Sequence, residues 1–318
     1  MPTAISGGSR IRTNTPAENA YNSLNAANND IALRQLRLST GKRINTAADD
    51  VAGYITSRSL QARNGALKSA LASVGDALNV TSITQDAYDN INTLLTDIKD
   101  SAATASSGAL GTDEKVALAK GAYRLAQQIQ FVVDSTVFGG KQLIQGGFSG
   151  DWTIGYYADN SLLTIGVDLT TGNVDFNVAS QNFNLNATSG ATAPGGNTSV
   201  FAGITGLNLE SLNSVSETDL GIFSTTQVST TITSLAEALN NVNKVASYVG
   251  GIQVRLNSQE DLLNSQIVNY NSAISRIEDA DVAQEQMSLI RSQFLQQSSL
   301  ISLAQSNQNP QSFLQLFS

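Results

Sequence analysis

SLAEALNNVNKVASYVGGIQVRLNSQEDLLNSQIVNYNSAISRI, residues 234–277, carries an apolar residue at every seventh position: Leu235, Val242, Val249, Leu256, Leu263, Tyr270 and Ile277. Leu239, Ala246, Ile267 and Ile274 stand four places after members of that series, and Gln253 and Glu260 interrupt this second row. Such spacing lines one side of an α-helix. A helix over about 232–277 would be about 70 Å long at about 1.5 Å per residue. Gly250 and Gly251 sit in its middle, where glycine costs helix stability, and predict a close approach or a small bend.

Working outward, the prolines are Pro2, Pro16, Pro194 and Pro310, which leaves two long proline-free stretches suited to long helices. In the first, Leu60, Leu67, Leu71, Val74 and Leu78 keep helical spacing, which resumes after Gln85 at Tyr88, Ile91, Leu95 and Ile98. A shorter helix follows GTDEK, with Leu118, Ala122, Leu125, Ile129 and Val132 on one face and Asp113 and Glu114 at its positive end. Between the two stretches the period changes to two. Trp152, Ile154 and Tyr156, then Leu163, Ile165, Val167 and Leu169, then Val174, Phe176 and Val178 alternate across the turns ADNS and TTGN. Residues 187–199 read as an exposed loop. The predicted fold is mainly α with a small β insertion: an elongated bundle of long coiled-coil-like helices from both chain ends, plus a short antiparallel β meander.

Composition narrows what such a protein does. A net charge of -8 disfavours a nucleic-acid backbone or an anionic membrane surface as partner. Cysteine and histidine are both absent, which removes thiol nucleophiles, disulfides, Cys/His zinc sites and every Ser-His-Asp relay. No cofactor is expected. Glu278, Asp279 and Asp281 between two helices read as solvated carboxylates rather than a cation site. The opening MPTAISGGSRIRTNTPAENA lacks an apolar h-region, so no cleavable secretory signal is expected.

Two terminal stretches carry local signals. In LSTGKRINTAADDVAG, residues 38–53, Gly41 suits a left-handed helix end with Arg34, Arg37, Lys42 and Arg43 near the helix's negative pole. Thr46 and Asp49 have the spacing of a capping-box variant opening the next helix, and Asp50 adds to the favourable dipole interaction. Residues 292–318, SQFLQQSSLISLAQSNQNPQSFLQLFS, have no charged side chain, too many amides for a membrane span and too many leucines and phenylalanines for a solvated tail. That mixture points to burial against other protein. The expectation is that this tail finds no sufficient partner in its own chain.

LSTGKRINTAADDVAG together with SRIEDADVAQEQMSLIRSQFLQQSSLISLAQSNQNPQSFLQLF, residues 275–317, closely resembles the two terminal regions of bacterial flagellins. The similarity runs inward through VVDSTVFGGKQLIQGGF, residues 132–148. The resemblance implies a non-enzymatic filament subunit that polymerises with itself, leaves through the flagellum's own type III channel, and is secreted to the extracellular flagellum. A flagellar export chaperone, a hook-filament junction protein and a filament cap are the further partners it implies. It divides the chain into an inner arm at 1–46, a bundle half at 47–146, a β-rich outer insertion at 147–226, the bundle's C-terminal helix at 227–279 and a second arm at 280–318. It places the assembly interface at Leu24, Ile31, Leu38, Phe294, Leu295, Leu300, Ile301, Leu303, Phe313, Leu314, Leu316 and Phe317, with Gly41, Thr46 and Asp49 at the hinge. The helix LLTDIKDSAATA shows Asp97 and Ser101, flanking Lys99, where flagellins seen by the vertebrate innate flagellin receptor carry Arg and Leu. Receptor recognition is therefore not expected. Hook-filament junction proteins share the helical arms and are the alternative, with a secreted adhesin or enzyme on a helical stalk a distant third. The ending NQNPQSFLQLF favours flagellin.

Overall fold

The heptad stretch folds as one helix, running from Val228 to Glu278. The computed structural model describes residues 14–156, 161–170, 173, 183, 185, 200–205 and 207–315, with only the backbone described at 200, 205 and 309–315. In chain order the elements are α1 (Thr15–Thr40), α2 (Val51–Ala105), α3 (Thr112–Ser135), β1 (Val137–Phe138), β2 (Lys141–Gln142), β3 (Gly147–Tyr156), β4 (Leu162–Thr170), β5 (Val200–Phe201), β6 (Ile204–Thr205), α4 (Val228–Glu278) and α5 (Val282–Gln315). Two 3-10 turns, Leu209–Asn213 and Gly221–Phe223, precede α4. The protein is mainly α with a small antiparallel β insertion.

The chain forms two compact units, Met1–Gly65 with Ile267–Ser318, and Ala66–Gln266. In the second unit the core is drawn from one stripe of each helix: Val74, Val80, Tyr88, Ile91, Leu95 and Ile98 of α2, Ala122 and Ile129 of α3, and Leu235, Val242, Val249 and Leu256 of α4. The second row of α4 lies three places after the first, not four. Ala238, Val245 and Ile252 are buried, whereas Leu239 and Ala246 are half-buried. On α3 the same one-place offset puts Ala119, Ala126 and Val133 inside and leaves Leu118, Leu125 and Val132 half-buried. Ala119, Ala126 and Ala238 let the helices approach, and Leu118, Leu125 and Leu239 beside them stay half-buried. Gln253, which interrupts the row, donates from Nε2 to Ser82 Oγ at 3.2 Å.

β3 and β4 form a two-stranded antiparallel ladder with a bulge at Ile154, between the pairs Thr153↔Thr164 and Gly155↔Leu163. The bulge frees the Ile154 carbonyl, which accepts a 2.7 Å bond from Gln259 Nε2. Ile165, Val167 and Leu169 point inward on alternate positions. The expected third strand at 174–178 and the loop at 187–199 lie outside the described residues. Around Gly250 and Gly251 an added Cβ would meet nothing within 4 Å, so neither glycine serves a close approach within the chain.

Candidate functional site

The first unit is organised around an antiparallel pair, α1 against α5. Its direction is fixed by three contacts along its length: Asn14 Nδ2 to the Ser306 carbonyl at 2.9 Å, Gln296 Nε2 to Asn28 Oδ1 at 2.6 Å, and Arg34 Nη1 to Glu285 Oε2 at 2.8 Å. The facing rows step alternately by three and four residues. α1 contributes Ala17, Ala20, Leu24, Ala27, Ile31, Arg34 and Leu38, all buried or half-buried. From α5 come Glu285, Leu289, Ser292, Gln296, Ser299, Leu303 and Ser306. This is coiled-coil spacing with a seam of small and polar residues on one side. The C-terminal segment thus does have a partner in its own chain, and the expectation that it lacks one is corrected.

At the charged end of the pair, Arg34 and Arg37 both grip Glu285, whose side chain is 9% exposed. Burial pushes the Glu285 carboxyl up, but the hydrogen bonds and charge of Arg34, then of Arg37, overcome it and hold the group below its ordinary value. Beyond this grip the two interhelical linkers are tied together. Gly41 closes α1 in the left-handed conformation at φ 70°. Lys42 then bridges to Asp279 as a one-residue antiparallel contact, flanked by Arg43 N–H to the Glu278 carbonyl at 2.6 Å and Ala280 N–H to the Gly41 carbonyl at 2.9 Å. Lys42 Nζ lies 2.6 Å from Glu278 Oε1, and Gln61 Nε2 donates to Glu278 Oε2. Glu278 and Asp281 are therefore spoken for by the fold. Asp281 Oδ1 accepts from the N–H groups of Ala283 and Gln284 and caps α5. No metal-binding cluster of acidic residues occurs among the described residues.

The start of α2 differs from the expectation by a few residues. Asp50, not Thr46, caps the helix, its Oδ1 accepting from Gly53 N–H at 2.9 Å. Asp49 instead folds back, its Oδ2 accepting from the N–H groups of Thr46 at 2.8 Å and Asn45 at 3.0 Å, and these backbone bonds lower its pKa. The reach-back half of a capping box is present, but it braces the linker. Gly53 was not singled out by its sequence. A Cβ there would lie 2.5 Å from Asp50 Oδ2 and 2.7 Å from the buried Ile44 Cδ1, so any larger residue makes the cap and Ile44 shift.

α5 carries a second heptad row on a different side from the α1 seam: Met287, Ile290, Phe294, Gln297, Ile301 and Ala304, every one exposed. Met287 is 66% exposed, Phe294 70% and Ile301 70%, with Leu295 and Leu300 beside them also exposed. Large apolar side chains in a regular stripe on water mark an interaction surface. Of the interface residues expected from sequence, Leu24, Ile31, Leu38 and Leu303 lie on the α1–α5 seam, while Phe294, Leu295, Leu300 and Ile301 face away from it. The side chains of Phe313 and Leu314 and all of Leu316 and Phe317 lie outside the described residues. On α2, Asp97 is exposed, Lys99 and Ser101 are half-buried, and Ser101 Oγ donates to the Asp97 carbonyl at 2.8 Å. Among the described residues no helix is long and apolar enough to cross a membrane.

The two helical ends match known family models. The bacterial flagellin N-terminal helical region matches residues 11–149, and the bacterial flagellin C-terminal helical region matches residues 217–317. Among curated proteins the chain is similar to a flagellin of Halalkalibacterium halodurans, 26% identical over 306 residues covering 96% of this chain and 98% of the relative. A flagellin of Bacillus subtilis is 26% identical, covering 96% and 99%. Flagellin FlaB1 of Treponema pallidum is 24% identical with the same coverage, 96% and 99%. With most of its length inside two family matches in the right order, and an uncovered apolar row on the last helix, the chain belongs to the bacterial flagellin family.

Proposed function

We propose that this protein is the structural subunit that polymerises into the bacterial flagellar filament and serves swimming motility. The observation that carries the reading is the exposed α5 row of Met287, Ile290, Phe294 and Ile301. A surface that packs against a different surface of the next copy, without closing, builds an open helical polymer. Burying each such side chain contributes about 1.5–3 kcal/mol, and each copy repeats the contribution. In this reading residues 1–46 and 280–318 are the arms that pack at the filament's inner tube, 47–146 and 227–279 form the bundle outside them, and 147–226 is the solvent-facing insertion. Phe313, Leu314, Leu316 and Phe317 extend the assembly surface. The subunit performs no catalysis and needs no cofactor.

Before assembly the same apolar row needs cover, which a flagellar export chaperone supplies, and the type III channel delivers the chain to the extracellular filament. A hook-filament junction protein and a filament cap are the further partners this reading implies. The test is electron microscopy of purified subunits after seeding with sheared filaments. Long uniform filaments are expected; a protein that stays monomeric across a range of salt and concentration contradicts the assignment.

A further inference from the structure

The chain contains no cysteine and two methionines, and of these Met287 is the one among the described residues. Met287 is 66% exposed at the start of the uncovered α5 row, in heptad register with Phe294 and Ile301. Glu285, the nearest acidic residue on α5, faces the other way into Arg34 and Arg37. The most oxidisable described side chain therefore stands exposed at the first position of the apolar row.

We propose that Met287 is an oxidative modification site that gates assembly: a hydroperoxide converts its thioether to the sulfoxide, and the modified subunit is excluded from the polymer until it is reduced. This rests on the filament reading above. The step balances as a two-electron oxygen transfer. The peroxide O–O bond breaks, one oxygen forms the S=O bond, and the other leaves as water or alcohol. The sulfoxide is polar and chiral, so a side chain that packs as an apolar knob becomes one that must keep water or a hydrogen-bond donor at the seam. In the polymer the same sulfur is covered by a neighbouring copy and escapes attack. The chemistry thus distinguishes free from assembled subunits, and methionine sulfoxide reduction reverses it.

The test treats wild-type and Met287→Leu subunits with hydrogen peroxide, maps oxidation by peptide mass spectrometry, and follows seeded polymerisation. Oxidation of wild-type monomer is expected to slow elongation by about tenfold, the factor that about 1.4 kcal/mol produces. Met287→Leu elongates at its untreated rate, reductase treatment restores the wild type, and Met287 in intact filaments oxidises far more slowly than in monomers. The proposal is overturned if wild-type monomer carrying the Met287 sulfoxide elongates normally, if Met287→Leu slows equally after peroxide, or if filaments and monomers oxidise at the same rate. Untreated wild type that never elongates would instead overturn the filament reading, and the inference with it.

Discussion

Lys42 and Glu278, 236 residues apart in the chain, meet as a 2.6 Å ion pair that ties the α1–α2 linker to the end of α4. Glu278 is buried and also accepts from Gln61, so its loss strands two donors at once. Lys42 keeps 44% of its side chain in water, which limits the cost of stranding it. Glu278→Ala is expected to destabilise the first unit by about 1–2 kcal/mol. Chemical denaturation followed by circular dichroism checks this; an unchanged midpoint contradicts the role given to the pair.

Glycines separate into two kinds. Gly53→Ala forces a Cβ against Asp50 and Ile44 and is expected to cost about 1–3 kcal/mol, whereas Gly250→Ala and Gly251→Ala enter open space within the chain. Each of the latter is expected to raise monomer stability by about 0.5–1 kcal/mol through helix propensity. Thermal unfolding of the three variants gives opposite signs if the packing is as described. The same sign for all three would contradict it.

Acid acts on the grip at Glu285. Its folded pKa is lowered, so its contribution is present above the ordinary value of 4.5 and disappears as pH falls through the lower, folded value. Asp49, lowered by its backbone hydrogen bonds, adds in the same direction. Stability of the α1–α5 pair should therefore decline as pH drops below about 4.5, and Glu285→Gln should be less stable at neutral pH and flatter across that window. Urea titrations at a series of pH values measure the slope. Identical slopes for both proteins would rule out Glu285 as the responsible group.

Much of the architecture is legible in the sequence, and each miss has its own physical cause. The α4 row from Leu235 to Leu263 was readable because its large apolar residues are also the buried ones. Its companion row is read one place late at Leu239 because buried Ala238 carries less hydrophobic signal than half-buried Leu239, and Ala246 follows from the same four-residue step although Val245 is the buried residue. On α5 the signal inverts. The side facing α1 is mostly polar, with Ser292, Gln296, Ser299 and Ser306 beside Leu289 and Leu303, whereas Phe294 and Ile301 stand in water. A hydrophobic pattern locates burial, and the α5 row of Phe294 and Ile301 finds none among the described residues. The glycine at position 53 was silent because a close approach has no sequence signature of its own.

The helix bearing Asp97 and Ser101 gives a separate prediction. Where, by the resemblance, flagellins seen by the vertebrate innate receptor carry Arg and Leu, an acidic and a small polar side chain would remove a charge partner and a buried apolar contact, each costing an interface roughly an order of magnitude or more. Monomeric protein should activate cells bearing the innate flagellin receptor very weakly, and Asp97→Arg with Ser101→Leu should raise the response. A reporter-cell dose series checks both; full-strength activation by the unmodified monomer contradicts the reading.

Seeded polymerisation of Phe294→Asp with Ile301→Asp tests the α5 row most directly, because both side chains are 70% exposed and lie off the α1 seam. Electron microscopy and sedimentation read assembly, and circular dichroism with thermal unfolding reads the monomer. The expected result is a monomer as helical and as stable as the wild type that adds no detectable length to seeds which the wild type extends. A double variant that extends seeds at the wild-type rate would contradict the account.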